Sequence, residues 1–500
     1  MKIFSSDQMK EIDKWTIESQ HITSDKLMER AAYAFVNALP IEELKSESIT
    51  IFAGIGNNGG DALAISRILL DKGIKNRVIF CQISPNISQD CQKNLQRLEQ
   101  YGQADIHKLL VNQELPVCDG VVIDGLFGSG LNRPVEGFWA ELITKINHEA
   151  DRIIAVDIPS GFFADKITKS VHIQNAEVYT FDSPKLSFLL PESQEAIQSF
   201  RVLDIGLDED SKLKMKSNNY YIDRETISGL IQKRRKFSHK GTYGKVCIVG
   251  GTDNMIGGAI LAGRAAMTTG CGYVFYQIPA NKWAIALYQH PEAIVLKTNW
   301  AMTMDGLNKI KGLDKYKFGI GPAMGQSKKS QKTLLAFLKD YNEPVVLDAD
   351  ALNIIASNGI KKSHIPQSSI LTPHHKEFER LLGDSTNSFD QLAKAKEIAI
   401  VKNIYICLKG PHTIIISPDG ECHFNSTGNP GMAVAGSGDV LTGIITSLIA
   451  QNRTPKLAAI LGVYIHGYAG NLAAESKGEY GMTANDIILY IPAALEDHIC

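Results

Sequence analysis

Short runs of Val, Ile, Ala and other apolar residues alternate with helical stretches along the whole chain. They are SITIFAG (48–54), NRVIFCQ (76–82), GVVIDGL (120–126), DRIIAVDIP (151–159), KVCIVGG (245–251), PVVLDAD (344–350) and YICLKG (405–410). Runs that are apolar on consecutive residues suit strands buried on both faces, the condition of a parallel sheet covered by helices. The pattern therefore predicts α/β layering in both halves. It also predicts where chemistry sits, because ligands of open α/β sheets gather beyond the carboxyl ends of the strands. At 500 residues the chain exceeds what one core usually organises, and two domains are expected. The polar stretch DEDSKLKMKSNN between Leu207 and Tyr220 has the composition of an exposed connector. The expected domains are residues 1–212 and 220–500. No short-period repeat occurs, and the glycine motifs of the halves differ, so two folds are expected rather than a duplication.

Composition excludes several classes of partner. Lys and Arg total 52 against 54 acidic residues, a net charge of −2, which leaves no electrostatic footprint for nucleic acid or anionic lipid. Small molecules are the expected partners. The eight cysteines form no C-x-x-C pair, arguing against a zinc knuckle or a disulfide framework, and most are expected to be reduced and buried. The N-terminus, MKIFSSDQMKEIDKW, is polar and amphipathic, and no later stretch is read as long enough to cross a bilayer. A cytoplasmic protein without membrane contact is the expectation.

In the N-terminal half, the run ending at Ala53 is followed by GIGNNGGD (Gly54–Asp61) and an amphipathic helix. Glycines at a strand-to-helix turn let backbone amides approach an anionic ligand, although the same turn can serve only to supply positive φ angles. The amides of Asn57 and Asn58 beside Asp61 offer oxygen ligands for a cation or for the polar edge of a substrate. Asp124 opens DGLFGSGLNRP (124–134) at another strand end, where a turn or cap is the alternative role. Asp157, in VDIPSG (156–161), is the acid/base candidate, since a carboxylate in a partly desolvated pocket can shuttle a proton.

These three ordered motifs, over about residues 1–210, resemble the NAD(P)H-hydrate epimerase family. The resemblance implies a Rossmann-like three-layer fold. It implies that Asn57, Asn58, Gly59, Gly60 and Asp61, the loop Gly128, Ser129, Gly130, Leu131, Asn132, Arg133 and Pro134, and Asp157 contact the hydrated dinucleotide. A potassium ion held by Asn58, Asp124 and Ser160 is implied too. The motif departs from the family at Ile55 and at Ala62, where glycine is frequent.

In the C-terminal half, NSTGNPGMAVAGSGDVLTGII (425–445) places Gly436 and Gly438 around Ser437 and just before Asp439, at the start of an apolar helix. Backbone amides at a helix N-terminus can meet the charge that develops on a transferring phosphoryl group, and Asp439 can take the acceptor's proton. A glycine turn with Asp439 as a helix-terminal charge is the plainer alternative. No GxxxxGK[ST] loop occurs. HKGTYGKVCIVGG (239–251), GGAILAGRAA (257–266), GIGPAMG (319–325), LTPHHKE (371–377) and LKGPHT (408–413) accompany the main motif. Asp348 and Asp350, at a strand end, could help place magnesium or phosphate, with turn-capping as the alternative role, and are left outside the expected site.

Together these segments resemble the NAD(P)H-hydrate dehydratases of ribokinase-like α/β fold, over about residues 225–495. The resemblance implies that Ala259, Gly321 or Gly325, His374 and Asp439 contact the hydrate. Lys409, Gly410, Pro411, His412, Thr413 and Gly438 would bind the adenine nucleotide. His375-Lys376 replaces the family's more usual Pro-Gly. The combined expectation is a bifunctional repair enzyme that interconverts the R and S forms of NADHX and NADPHX and dehydrates the S form. ADP, with magnesium, would be the phosphoryl donor and AMP and phosphate the products, in a homo-oligomer. The rival readings are a ribokinase-type vitamin or sugar kinase with an inactive appendage, and an N-terminal half that only binds.

Overall fold

The structure, a computed structural model, describes residues 1–296 and 313–499. It divides into two compact units, Lys2–Ser217 and Asn218–Cys500, the latter joined by Met1. In the first unit the strands are β1 (Ile49–Ala53), β2 (Arg77–Cys81), β3 (Asp105–Leu109), β4 (Val121–Gly125), β5 (Arg152–Val156), β6 (Ala176–Phe181) and β7 (Ile197–Leu203). They form one parallel sheet in the order β3-β2-β1-β4-β5-β6-β7. The chain runs outward from β1 to β3 and then restarts at β4 on the other side of β1. That reversal opens a crevice beyond β1 and β4, the place where such sheets bind ligands. Both strands are buried along their whole length, as their unbroken apolar runs require. β3 and β7 went unread in the sequence because they are edge strands, DIHKL and IQSFRVL, whose outward faces meet water and carry polar residues.

The second unit contains β8 (Asn219–Ile222), β9 (Lys245–Val249), β10 (Tyr273–Gln277), β11 (Ile294–Val295), β12 (Tyr316–Ile320), β13 (Val346–Leu347), β14 (Ile370–Leu371), β15 (Tyr405–Leu408), β16 (Ile414–Ile416) and β17 (Cys422–Asn425). Their order is β11-β10-β9-β12-β13-β14-β15-β16-β17-β8. Neighbours are parallel except at β15–β16 and β16–β17, where a hairpin reverses the chain. The run at 344–350 yields only a two-residue strand, because the chain breaks at Asp348 into the helix Ala349–Asn358.

A helix over Pro455–Lys477 corrects one expectation. At 23 residues and a mean hydropathy of 1.3 over its most apolar window, it is long and apolar enough to cross a membrane. Here it is a core helix, with Ile460, Leu461, Val463 and Ile465 buried in one cluster with Ile444, Leu448, Ile487 and Ile491. Its apolar character comes from Ala and Gly interleaved with larger residues, which disguised its length in the sequence. The seven described cysteines are all buried.

Helices Gly257–Thr268 and Ser437–Ala450 meet backbone to backbone at Gly443, where a Cβ would stand 2.0 Å from the Ala262 carbonyl oxygen. Gly443→Ala is expected to push these helices apart and to cost about 1–3 kcal/mol, the usual range for overpacking. Urea unfolding of the full chain measures it, and an unchanged midpoint would contradict the close approach.

Candidate active sites

In the first unit the chain leaves β1 through Gly54–Gly56 and enters the helix Asn57–Asp71. Backbone packs on backbone at this turn. A Cβ on Gly54 would lie 2.0 Å from the Leu126 carbonyl oxygen, and one on Gly59 would lie 1.9 Å from that of Gly54. Ala62 faces the sheet rather than the crevice, against Gly125, where a Cβ would come within 2.5 Å of the Ala62 methyl. A methyl is tolerated at position 62 because its neighbour has none.

Asp124, near the end of β4, is fully buried. Its carboxylate accepts hydrogen bonds from Ser160 N (2.7 Å), Ser160 Oγ (2.5 Å) and Leu126 N (3.2 Å). Burial pushes it up to about 6, and the Ser160 hydrogen bonds pull the other way. Asn58 Nδ2 donates to the Phe127 carbonyl (3.1 Å), and Phe127 N donates to Ser160 Oγ (2.8 Å). Asn58, Asp124 and Ser160 are thus gathered around one loop residue. Carboxylate, hydroxyl and amide oxygens are what a hard cation takes, and the set fits such an ion.

Asp157 follows β5 with φ of 64°, a left-handed conformation that costs energy in a residue with a Cβ. Its Oδ1 accepts from Thr180 Oγ1 (3.0 Å), Phe181 N (3.1 Å) and the buried Lys185 Nζ (2.7 Å). A cleft of about 560 Å³ is lined by Asn57, Asn58, Asp61, Gly128–Leu131, Arg133 and Asp157. Gly59 and Gly60 are buried in the first helical turn, and Asn132 and Pro134 lie outside the lining. Among the lining residues that no motif announced are two charged ones, Asp13 from the helix Ser6–Ser19 and Lys185 from the segment after β6. Burial and then the charge of Asp157 push Asp13 up to about 6, and burial holds Asp61 well above the ordinary carboxylate range.

In the second unit the helix Ser437–Ala450 starts from Gly436 at φ 92°. Asp439 is half-buried in its first turn, and the room for its carboxylate comes from Gly258, where a Cβ would lie 2.7 Å from Oδ2. Beside it is Asp348, for which the structure removes the turn-cap alternative. Asp348 precedes the helix Ala349–Asn358 but makes no capping bond with its side chain. It is buried, Oδ1 accepting from Lys409 Nζ (3.0 Å) and Oδ2 from Thr442 Oγ1 (2.8 Å). Glu377 stands 3.8 Å from the same ammonium. Burial opposes the Lys409 charge, but Asp348 and Glu377 outweigh it and hold the ammonium above its ordinary value. Burial, followed by the Asp348 charge, pushes Asp439 up to about 7.

Gly321 sits at φ 129°, and a Cβ there would lie 1.8 Å from the Asp348 carbonyl oxygen, so its bareness sets where Asp348 stands. Gly325 N donates to Asp350 Oδ2 (2.9 Å), which makes Asp350 the anchor of that loop. His374 caps the helix His375–Leu382 in a reciprocal box with Glu377, and burial pulls its imidazole below its ordinary value. His375 and Lys376 point outward from the first turn. Gly438 approaches Lys409, its Cβ position being 3.2 Å from Nζ, while Gly410–Thr413 turn the β15–β16 hairpin. His412 Nδ1 is 2.9 Å from the Asn425 carbonyl oxygen. Ala259, an expected hydrate contact, is fully buried in a cluster with Val246, Ile248 and Ala262. A residue unread in the sequence lies beneath the glycine turn. His466 Nε2 is 3.3 Å from Ser437 Oγ, and burial pulls its imidazole down to about 4.

Residues 246–493 match the family described as NAD(P)H-hydrate dehydratase, and residues 24–187 match that described as YjeF-related protein N-terminus. The bifunctional NAD(P)H-hydrate repair enzyme of Moorella thermoacetica is 32% identical, over 99% of this chain and 97% of its own. The chain belongs to the bifunctional NAD(P)H-hydrate repair enzyme family. Among solved structures, the ADP/ATP-dependent NAD(P)H-hydrate dehydratase from Bacillus subtilis, co-crystallised with ATP/Mg2+, is 31% identical. It covers 57% of this chain and 100% of its own, with a TM-score of 0.49. A ribokinase-like superfamily protein from Enterococcus faecalis, 23% identical over 57% of this chain and 98% of its own, has a TM-score of 0.50, a likeness of fold. In this repair enzyme the α/β architecture of both units agrees with the layering expected from the apolar runs.

The ion cluster of the second unit carries a stability prediction. Lys409→Met strands Asp348 and Glu377 without their cation, and losing one partner of a buried pair typically costs about 3–5 kcal/mol. Urea unfolding of the full chain should show that loss; a cost under about 1 kcal/mol would mean the pair is screened by solvent.

Proposed function

We propose that residues 1–212 interconvert the R and S hydrates of NADH and NADPH, and that residues 220–500 dehydrate the S form at the expense of ADP, releasing AMP and phosphate. The observation that carries the reading is the environment of Asp439. It is a half-buried carboxylate beside a helix N-terminus opened by Gly436, with Lys409 and Asp348 at its side. Water is a poor leaving group and phosphate a good one, so a phosphoryl-transfer site can serve a net dehydration. Asp439 takes the proton of the ring hydroxyl as its oxygen attacks the terminal phosphorus of ADP. The bond from that phosphorus to the AMP oxygen breaks as the new one forms. Backbone amides of the Gly436–Gly438 turn meet the charge on the moving group. The phosphate ester then eliminates, the carbon–oxygen electrons leaving with phosphate, and loss of a proton restores the reduced ring.

Ala259, Gly321 or Gly325, and His374 are assigned to the hydrate, and Lys409–Thr413 with Gly438 to the nucleotide. Magnesium belongs to this reading as the companion of the nucleotide phosphates, since that ion is held largely by phosphate oxygens and water. In the first unit, the cleft lined by Asn57, Asn58, Asp61, Gly128–Leu131, Arg133 and Asp157 takes the hydrated dinucleotide. Asn58, Asp124 and Ser160 would hold a potassium ion, which supplies positive charge near the dinucleotide phosphates. The protein acts in the cytoplasm as a homo-oligomer on small molecules, without nucleic acid or membrane partners.

One assay tests the scheme. Mixed hydrate epimers and ADP are incubated with the full chain, and nicotinamide absorbance is followed. Full recovery is expected for the native chain, none for Asp439→Ala, and recovery of the directly usable epimer alone for Asp157→Ala. A stable phosphorylated product would instead favour a simple kinase. The base form of Asp439 is the active one, so its activity should rise as pH rises through about 7. A rate flat from pH 6 to 8 would contradict that role.

A further inference from the structure

The N-terminal cleft holds three carboxyl groups, and their surroundings suit them to different work. One oxygen of Asp157 accepts three donors, among them the buried ammonium of Lys185 at 2.7 Å. Three donors on one oxygen fix that side chain in place. Asp61 is of another kind, its proton retained well above the ordinary range by burial and by the charges of Asp157 and Asp13. Asp13 differs from both. Its carboxyl lines the same cleft as Asp157 and Lys185, and also an adjoining one of about 370 Å³ shared with Asn57 and Asp61. Among the described residues, burial and charge alone act on it, and no hydrogen-bond donor holds it.

We propose that Asp13 is the proton carrier of this cleft, protonating the departing hydroxyl of the hydrated ring and recovering a proton when water adds back to the opposite face. The inference rests on the epimerase reading above. Water adds to an enamine at the carbon next to nitrogen, because nitrogen stabilises the cation formed there, so the hydroxylated carbon adjoins the ring nitrogen. The carbon–oxygen bond breaks with its electron pair on oxygen, the Asp13 proton makes that oxygen water, and the nitrogen lone pair closes a C=N bond. Water adds to the other face, the C=N pair returns to nitrogen, and the proton shed by the added water passes to Asp13. Configuration inverts and nothing is consumed. The carboxylate of Asp157, paired with Lys185 at 2.7 Å, offsets the charge of the cationic ring.

The groups around Asp13 favour this division. Asp157 and Asp182 raise its affinity for a proton and Lys185 lowers it. Asp61 faces it from the helix Asn57–Asp71, and Arg133 from the loop after β4. Lys10, Lys14 and Glu18 of its own helix border the adjoining cleft.

The test uses the full chain and the R-hydrate of NADH freed of the S form, with nucleotide omitted. Appearance of the S form is followed by chromatography and the uncatalysed rate subtracted. The native rate should fall as pH rises through about 6, because the acid form of Asp13 is the donor. Asp13→Asn should lower kcat about 100-fold or more, with KM changed less than about twofold, and should erase that limb. Urea unfolding and limited proteolysis of the same variant, compared with the native chain, report whether the first unit has folded. If it has not, Asp13→Glu carries the test, and the limb must move. An Asp13→Asn protein with native kcat and an intact limb, or one altered only in KM, overturns the proposal, as does an unmoved limb in Asp13→Glu. A native chain that fails to interconvert the hydrates overturns the epimerase reading itself.

Discussion

A carboxylate taken out of water at the end of a parallel strand is the constraint on which both units depend. An ion of this kind costs several kcal/mol to desolvate and persists only where fixed donors replace the lost water. Asp124 meets that demand with the amide and hydroxyl of Ser160 and the amide of Leu126, so the loops after β4 and β5 are tied to one point. Asp348 meets it with Lys409 and Thr442, tying the end of β13 to the hairpin after β15 and to the helix that bears Asp439. Neither aspartate has to touch a reacting atom to matter. Each holds together the elements that carry the candidate catalytic groups.

Glycine makes these approaches possible at a few positions. Gly321 admits the Asp348 backbone, and Gly258 admits the Asp439 carboxylate. Once charges stand so close, they set one another's protonation. Burial first, and then the charge of Asp348, raises Asp439 toward neutrality, where a base can both accept and release a proton; burial and Asp157 act on Asp13 in the same sense. Lys409 and Lys185 act in the opposite direction.

The two sites divide a chemical problem. A hydrated ring has two configurations, and a stereospecific dehydratase leaves one of them stranded. The first unit needs only proton transfer and stabilisation of a cation, for which a cleft with a buried carboxylate–ammonium pair suffices. The second must turn hydroxide into a better leaving group and therefore needs phosphoryl chemistry, with amides, a cation and a base in one place.

The consecutive apolar runs determined the parallel layering, because only strands covered on both faces tolerate them, and the glycine motifs marked the strand ends where ligands bind. Asp439, Asp157, Asn58 and Asp124 were singled out as candidates for that reason, whereas Ser160 entered only through the family resemblance. The edge strands were not, since solvent permits polar residues there. Nor was the length of the core helix Pro455–Lys477, whose small residues look unremarkable one by one. Only the tertiary structure decided that Asp348 faces Lys409 rather than capping its helix, and that Asp13 and Lys185 enter the cleft with Asp157. Local sequence records which backbone turns are possible, whereas the protonation and partners of a buried charge depend on groups brought close from distant parts of the chain.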